Sequence, residues 1–389
     1  MTHQKIEWED LQATVWLGIF NPDNGGAAEY HAMIELNTVF ENTEEQYHLL
    51  EKAVQRLDLN GATLVWKHFF VSDAINQSSY LTASAHEAVS VVQQPPLNGS
   101  KASLWLYFVE NAQMSADTDG VRIMKRPHYG HLFYTQLHER GVAESQSPLM
   151  ALPASSGHQT EQIFNHYVRS LSRHGCTLER NCVRTWVYVQ DVDVQYAGMV
   201  VARREYFERE GLTPQTHYMA STGIEGRYKF PDVLVFMDAY TISGIEPAQI
   251  KYLCAPTHLN PTYEYGVTFE RGTSVDYGDR RHIFISGTAS INSHGQIEHP
   301  LDVELQTART FENVQALLAE ADAGMADVIS MIVYLRDTAD YPIINRYLET
   351  HYPTVPRLTL LAPVCRPGWL VEVECIAIKK IDNKRFAEF

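Results

Sequence analysis

The stretch Val333-Tyr334-Leu335-Arg336-Asp337 decides the fold of this chain, because related stretches occur twice more. They are Phe69-Phe70-Val71-Ser72-Asp73 and Val187-Tyr188-Val189-Gln190-Asp191. Each is a short run of residues that favour β-strands and ends in an aspartate. Repeats spread along the whole chain indicate tandem structural units.

The segments around each repeat predict the rest of the unit. Apolar residues at spacings of three and four indicate amphipathic helices before the repeats, at 47–57, 161–171 and 303–319. Apolar strands are predicted to close the units at 103–109, 233–241 and 370–378. The sequence therefore predicts an α+β fold of three β-β-α-β-α-β units, at 1–125, 126–250 and 251–389.

Composition excludes several classes of function. The 389 residues include 31 basic and 47 acidic side chains, a formal charge of −16, which opposes binding to nucleic acid. The N-terminus lacks the pattern of a secretory signal, and no apolar run is long enough to span a membrane. The five cysteines and 17 histidines show no spacing typical of a metal site. We expect a cytoplasmic protein with no cofactor, metal, membrane or nucleic-acid partner.

The third unit contains the clearest candidate site. Gly287 and the small residues after it would let a ligand approach the backbone. If strands paired through the turn at Pro367-Gly368, Arg357 and Glu372 would meet at one end of the sheet. Arginine could then grip a carboxylate while glutamate moves a proton or positions water. The alternative is a cross-strand ion pair on a solvated face.

Three further features leave alternatives open. Glu374 lies on the same side of its strand as Glu372, so the two are either paired carboxylates or one solvated face. Cys365 is either a nucleophile or a small core residue. The run Phe269-Glu270-Arg271-Gly272 could line a pocket or form an edge strand.

Several of these residues resemble one known family. The third unit looks like the RidA (YjgF) family, also called endoribonuclease L-PSP-like. The residues that carry this resemblance are Ile285-Ser286-Gly287-Thr288-Ala289, the Val333 repeat, Asn345, Pro356-Arg357 and Val371-Glu372-Val373-Glu374. The resemblance implies a chorismate-mutase-like α+β fold, homotrimers with ligand clefts between subunits, and imine or enamine deaminase activity.

The resemblance also implies roles for individual residues. Arg357 matches the carboxylate-binding arginine and Glu372 the water-activating glutamate. Ser286 matches the serine of a serine-glycine pair, and Asn345 matches an asparagine of the cleft. Phe269 falls where the family has a tyrosine, so a hydroxyl that can form hydrogen bonds is missing.

A second family shares the same fold. The third unit is also similar to the chorismatases in the run from Phe284 to Ser290, in Cys365-Arg366 and in Leu370-Val371-Glu372. Chorismatases release pyruvate from chorismate by protonating its enol ether. This resemblance implies that Glu372 is the acid and that Cys365 lies beside the substrate ring.

Units one and two lack the Arg357 and Glu372 pair, so we expect one working cleft per chain. Three fused units would form an intramolecular pseudo-trimer, with further oligomers left open, and unit two could supply Arg184, Tyr188 or Arg203 to the cleft. We expect a RidA-superfamily hydrolase of the deaminase type acting on a small carboxylate-bearing metabolite. A chorismatase-like hydrolase and a non-catalytic binding protein are the alternatives. The expected substrate-binding residues are Ser286, Gly287, Asn345, Cys365, Phe269 and Glu374.

Overall fold

The structure is a computed structural model that describes residues 1–38, 42–81, 86–140 and 155–389. Its strands form three mixed sheets of six strands each. Each sheet belongs to one of the three tandem units that the repeats predict, and each repeat forms a buried strand.

In the first unit, the long helix lies between the third and fourth strands along the chain. This helix begins after Asn42, whose side chain accepts a hydrogen bond from the backbone N–H of Glu44. The elements are β1 (Thr2–Trp8), β2 (Ala13–Phe20), β3 (Glu29–Leu36), α1 (Thr43–Arg56), β4 (Thr63–Val71), α2 (Ala74–Gln77), β5 (Ala88–Gln93) and β6 (Ala102–Val109).

The second unit has longer helices. Its elements are β7 (Gln113–Ala116), β8 (Arg122–Lys125), β9 (Gly130–His138), α3 (Ser156–Arg173), α4 (Leu178–Asn181), β10 (Cys182–Val189), α5 (Val192–Arg209), β11 (Ala220–Glu225) and β12 (Val235–Ser243). Because β7 pairs with β8 and β8 pairs with β9, the second sheet begins at Gln113, before the boundary expected at 125.

The third unit follows directly. Its elements are β13 (Ile250–Leu253), β14 (Gly272–Asp276), β15 (Arg280–Ala289), α6 (Val303–Glu320), β16 (Val328–Leu335), α7 (Tyr341–His351), β17 (Arg357–Leu361) and β18 (Val371–Lys380). Its helix α6 packs on β15 and β18 and closely matches the helix predicted at 303–319.

The three sheets share one strand order, which in the third unit is β13-β14-β15-β18-β16-β17. Strand β16 therefore lies between β17 and β18, with Met331 opposite Arg357 and Tyr334 opposite Glu372. The expectation that the strands of Arg357 and Glu372 pair through the Pro367-Gly368 turn is wrong. Strand β17 runs parallel to β16, and α7 supplies the crossover that this pairing requires.

The units contact one another head to tail through their sheets. Strand β5 packs on β9, β11 packs on β15, and β16 and β17 pack on β2 and β3. Aromatic rings fill the interior between them: the Trp66 ring centroid lies 5.3 Å from that of Trp105 and 5.0 Å from that of Trp186. Each unit thus covers the sheet face that the next unit would otherwise expose.

Charged residues also join the units. The buried guanidinium of Arg280 contacts the Glu29 carboxylate of the first unit at 2.6 Å. In the described ranges of the chain, no helix is long and apolar enough to cross a membrane.

Candidate functional site

A small cavity lies where the second unit meets the third. Helix α5 and strand β11 supply the second unit's share of its wall. The third unit supplies the segment before β14, the end of β15, the loop before β18 and the start of β18. Five of the candidate residues lie on this wall: Arg203, Phe269, Gly287, Cys365 and Glu372.

The carboxyl group of Glu372 is held near the start of β18, opposite Ala289 on one side and Tyr334 on the other. Burial and, secondarily, the negative charge of Glu374 raise the pKa of Glu372 to about 8, against the opposing effect of Arg184 and Arg271. At neutral pH the group therefore carries a proton. A protonated carboxyl group can donate its proton as an acid, whereas an ionised carboxylate could only accept a proton.

Gly287 leaves the space that this carboxyl group occupies. A Cβ atom on Gly287 would overlap Oε1 of Glu372 and would lie 3.1 Å from Cγ2 of Thr222. The backbone N–H of Gly287 donates to Oγ1 of Thr222 at 2.9 Å. The glycine therefore permits close approach of a side chain to the backbone, here the side chain of Glu372.

The second unit contributes a buried arginine to the cavity. Arg203 lies on α5, and its Nε donates to Oγ1 of Thr268 at 3.1 Å. Its Nη1 donates to Oγ of Ser221, which also lines the cavity, at 3.4 Å. These partners are neutral, so they leave the charge of the guanidinium uncompensated.

The third unit contributes two more arginines. Arg271 is buried and donates from Nη2 to the backbone oxygen of Asn260 at 2.9 Å. Arg366 donates to the backbone oxygen of Tyr265 at 3.4 Å. Of the ion pairs found among the described residues, none involves Arg203, Arg271 or Arg366. Three guanidinium groups without carboxylate partners make this cavity suited to an anion.

Two further polar atoms of the wall lack a partner. The Tyr265 hydroxyl and the Trp369 indole N–H are buried, and neither forms a hydrogen bond with any described residue. Because an unpaired buried donor is costly, these atoms are suited to bind a ligand. The phenol of Tyr265 also supplies a hydroxyl in the cavity whose wall contains Phe269.

The thiol of Cys365 borders the cavity next to Tyr196. Burial raises the pKa of Cys365 to about 12, and the charge of Glu372 acts in the same direction. The thiol therefore remains protonated and is a poor nucleophile. Its position makes it a lining residue of the site.

Two candidate residues lie outside this cavity. The Arg357 guanidinium carbon lies 4.5 Å from the centre of the Trp16 ring, in the first unit, and its Nη1 donates to the Tyr352 backbone oxygen at 2.6 Å. Asn345 lies on α7 and donates to Glu349 at 3.1 Å. Arg357 therefore faces the contact between the third and first units.

Ser286 and Tyr188 have roles outside the cavity as well. The Ser286 hydroxyl donates to the Glu270 backbone oxygen at 2.5 Å and accepts from the Ser221 backbone N–H at 2.9 Å. It thereby joins the second and third units. The Tyr188 hydroxyl lies 3.4 Å from Nε2 of His68, at the contact with the first unit.

Known proteins share both the sequence of the third unit and the fold of the chain. The endoribonuclease L-PSP family model matches residues 274–379. A RutC family protein of Pyrococcus abyssi is 33% identical over 101 residues, which cover 25% of this chain and 79% of that protein. The 3-aminoacrylate deaminase RutC of Acinetobacter baylyi is 27% identical over 97 residues, covering 24% of this chain and 77% of that protein.

This chain belongs to the RidA/YjgF (endoribonuclease L-PSP-like) superfamily. Its overall architecture is shared with a chorismatase crystal structure, which has a TM-score of 0.63 and 19% identity and covers 82% of this chain and 95% of that one. The chain is thus a tandem RidA-superfamily member with the fold of the chorismatases.

Strand register shows which unit of this RidA-superfamily chain carries a carboxyl group at the position of Glu372. Glu372 lies opposite the tyrosine of its repeat, Tyr334. The matching positions are Phe236 in the second unit and Ser103 in the first. Only the third unit therefore carries a carboxyl group at this position.

Register also explains the position of Arg357. Arg357 pairs with Met331 on the repeat strand of the third unit. Ser221 pairs with Thr185, the matching residue on the repeat strand of the second unit, and is therefore the counterpart of Arg357. Ser221 lies on β11, which faces the third unit, whereas Arg357 lies on β17, which faces the first. At the cavity, Arg203 bonds to Ser221 and supplies a guanidinium from a helix.

Sequence reasoning named Arg203 as a candidate but assigned no binding role to Arg271, Arg366, Tyr265, Tyr196 or Trp369. Arg271 belongs to the run Phe269-Glu270-Arg271-Gly272, whose aromatic and charged residues indicate a possible pocket wall. Tyr265 belongs to a similar run, Tyr263-Glu264-Tyr265, and Arg366 belongs to the Cys365-Arg366 stretch that resembles the chorismatases. Tyr196 and Trp369 gave no signal because only the packing of two units brings them to the cavity.

Proposed function

We propose that this chain hydrolyses an enol ether of a small dicarboxylate, of the chorismate type, with Glu372 as the proton donor. The observation that carries the proposal is a buried carboxyl group, its pKa raised to about 8, in a cavity with three arginines that lack carboxylate partners. This function is the chorismatase-like alternative of the sequence analysis.

The charges of the cavity favour a substrate with more than one negative group. Arg203 and Arg271 are both almost fully buried, and Arg366 is partly exposed. An isolated buried charge is unfavourable, so a ligand carboxylate would compensate each guanidinium that it contacts. Two carboxylates would be bound by different arginines and would leave the neutral Glu372 carboxyl group free to react.

The reaction needs no group beyond the carboxyl and a water molecule. Glu372 donates its proton to the terminal methylene carbon of the enol ether, which leaves an oxocarbenium ion on the adjacent carbon. Water adds to that carbon and returns a proton to the Glu372 carboxylate. The resulting hemiketal breaks its bond to the alcohol oxygen, and the products are pyruvate and an alcohol.

The deaminase alternative requires a different arrangement. It assigns carboxylate binding to Arg357 and water activation to Glu372, which would have to face one ligand. Arg357 instead packs on Trp16, and Glu372 carries a proton at neutral pH. Both features support the enol ether reaction over imine hydrolysis.

Turnover assays test the proposal directly. Purified protein is incubated with chorismate and pyruvate release is followed, while ammonia release from a 2-imino acid generated in situ is measured in parallel. We expect pyruvate release, with kcat lowered by about 10²-fold or more in Glu372→Gln, the usual contribution of a general acid. Glu304→Gln, which removes an exposed carboxylate at the start of α6, is the matched control and should retain activity.

Two results would overturn the proposal. Ammonia release without pyruvate release would assign deaminase activity to the chain. Chorismate binding by calorimetry without release of either product would make it a binding protein.

A further inference from the structure

A buried ion pair joins the second and third units directly behind the cavity. Nη2 of Arg184, on β10, donates to Oε2 of Glu374, on β18, at 2.8 Å. The other carboxylate oxygen of Glu374 accepts from the indole N–H of Trp186 at 2.8 Å. The Arg184 and Glu374 side chains are only 2% and 6% exposed, so solvent screens neither charge effectively.

Glu374 shares a strand face with Glu372. Two residues separate equivalent positions along a β-strand, so both side chains project to the same side of the sheet. The two carboxyl groups therefore face the second unit together. Only Glu374 has an arginine partner within ion-pair distance among the described residues.

A short chain of contacts links the ion pair to the proton donor. Oγ1 of Thr222 accepts from Nη2 of Arg184 at 2.5 Å and from the backbone N–H of Gly287 at 2.9 Å. Gly287 in turn lies so close to Glu372 that an added Cβ would overlap Oε1 of the carboxyl group. The Thr222 hydroxyl thus links the ion pair to the backbone against which Glu372 rests.

We propose that Arg184 and Glu374 are positioning residues for Glu372: their ion pair fixes a negative charge beside the proton donor and sets the pH range in which it holds its proton. This inference rests on the proposed function of Glu372 as an acid. Arg184 comes from a unit that carries no carboxyl group at the matching position, and this gives the second unit a role in the reaction.

Among the residues that the structure describes, Glu374 is the one negative neighbour of Glu372. Burial keeps the Cys365 thiol and the Tyr334 and Tyr196 hydroxyls neutral, because it raises the pKa of each well above neutrality. The charged groups facing Glu372 or its cavity are Glu374 on its own strand, Arg184 on β10, Arg203 on α5, Arg271 before β14 and Arg366 in the loop before β18.

Removing the charge of Glu374 should therefore make Glu372 more acidic. In Glu374→Gln the like charge disappears and Arg184 loses its counter-charge, so both changes favour ionised Glu372. The double variant Arg184→Gln/Glu374→Gln also loses the positive charge of Arg184, and that loss raises the pKa of Glu372. This rise should partly cancel the fall in pKa expected for Glu374→Gln. The double variant also leaves no unpaired buried charge, which keeps the test usable if the single variant does not fold.

An infrared titration tests the inference without any substrate. The carboxylic acid band of Glu372 is identified by its loss in Glu372→Gln, and its disappearance with rising pH is followed in each variant. We expect the midpoint to fall by about 1 to 2 pH units in Glu374→Gln, by less in the double variant, and to stay unchanged in Glu304→Gln. The pH above which kcat declines should shift in the same order.

A purely structural role for the pair would lower kcat or stability without moving the titration. An unchanged midpoint in both the single and double variants would overturn the inference. If the midpoint moves as expected while chorismate is not turned over, the positioning role holds and the proposed reaction fails. The two hypotheses are therefore tested separately.

Discussion

The guanidinium of Arg357 stacks on the ring of Trp16, with 4.5 Å between the guanidinium carbon and the ring centre. This contact joins the last strands of the third unit to the first unit. A cation over a tryptophan ring at this distance is stabilising. Arg357 also donates a hydrogen bond to the backbone oxygen of Tyr352. The arginine that resembles a ligand-binding residue therefore acts here in the contact between units.

Arg357→Ala should consequently reduce stability more than activity. We expect a lower melting temperature, because the variant loses the contact with Trp16 and the shorter of the two hydrogen bonds to the Tyr352 carbonyl, which keeps only the backbone N–H of Val355 at 3.3 Å. Below the melting transition, kcat/KM for pyruvate release should stay close to that of the parent protein. A large fall in kcat/KM at full folding, checked by circular dichroism, would place Arg357 in the catalytic cleft instead.

Arg271→Gln should have the opposite effect. The substitution retains a side chain that can hydrogen-bond to the backbone oxygen of Asn260 but removes the charge that faces the cavity. A hydrogen bond to a charged group contributes about 1.5–3 kcal/mol, so KM should rise about 10- to 100-fold. Arg173→Gln, which removes an exposed arginine paired with Asp119, is the control.

Steady-state kinetics separates binding from chemistry in this pair of variants. Loss of substrate binding raises KM with little change in kcat at saturation. An unchanged KM in Arg271→Gln would show that the substrate carboxylates do not contact this arginine.

Gly287→Ala should strongly reduce activity while the chain stays folded. The new methyl group would lie well inside van der Waals contact distance of Oε1 of Glu372, so the carboxyl side chain would have to move. Small displacements of a reacting group have large effects on rate, and we expect kcat to fall about 10²-fold. Gly324→Ala is matched to it, because nothing lies within 4 Å of the Cβ that it adds.

A kinetic difference between the two glycine variants would establish that the space beside Glu372 matters. Full activity of Gly287→Ala, with a structure showing Glu372 in place, would contradict the argument.

The local features of the fold could be predicted from the sequence. The helix at 303–319 is observed as Val303–Glu320, and the repeat Val333-Tyr334 lies in β16, because helical and strand periodicities depend on near neighbours. The same holds for the closing strand at 370–378, observed as Val371–Lys380.

The composition of the site could be predicted only in part. Gly287 is predicted from a run of small residues, and Glu372 from the pattern of strands that follows Pro356. Arg357 belongs to the same pattern but lies at another contact, because strand order and the head-to-tail packing of units decide where each edge strand faces. Arg203 and Tyr265 meet only through that packing, which no single stretch of sequence encodes.

Stability should depend on pH through Glu372 in a defined direction. The pKa of Glu372 is about 8 in the folded chain, above the ordinary value of 4.5. Between these values the unfolded chain has lost the proton that the folded chain retains. The contribution of this group to stability is therefore fully present below about pH 4.5 and is lost progressively as the pH rises to about 8.

Glu372→Gln removes this dependence, because glutamine has no proton to lose. The melting temperature of the variant minus that of the parent should therefore increase between pH 5 and pH 8 and then level off, as linkage requires for a group whose pKa folding raises. Other groups that titrate in this range, such as buried Asp238 with its pKa raised by burial to about 7, are common to both proteins and cancel in the difference. Calorimetry on both proteins in matched buffers gives the difference directly. A difference that is constant with pH would mean that Glu372 is ionised in the folded chain at neutral pH, and the carboxyl group could then not serve as the acid.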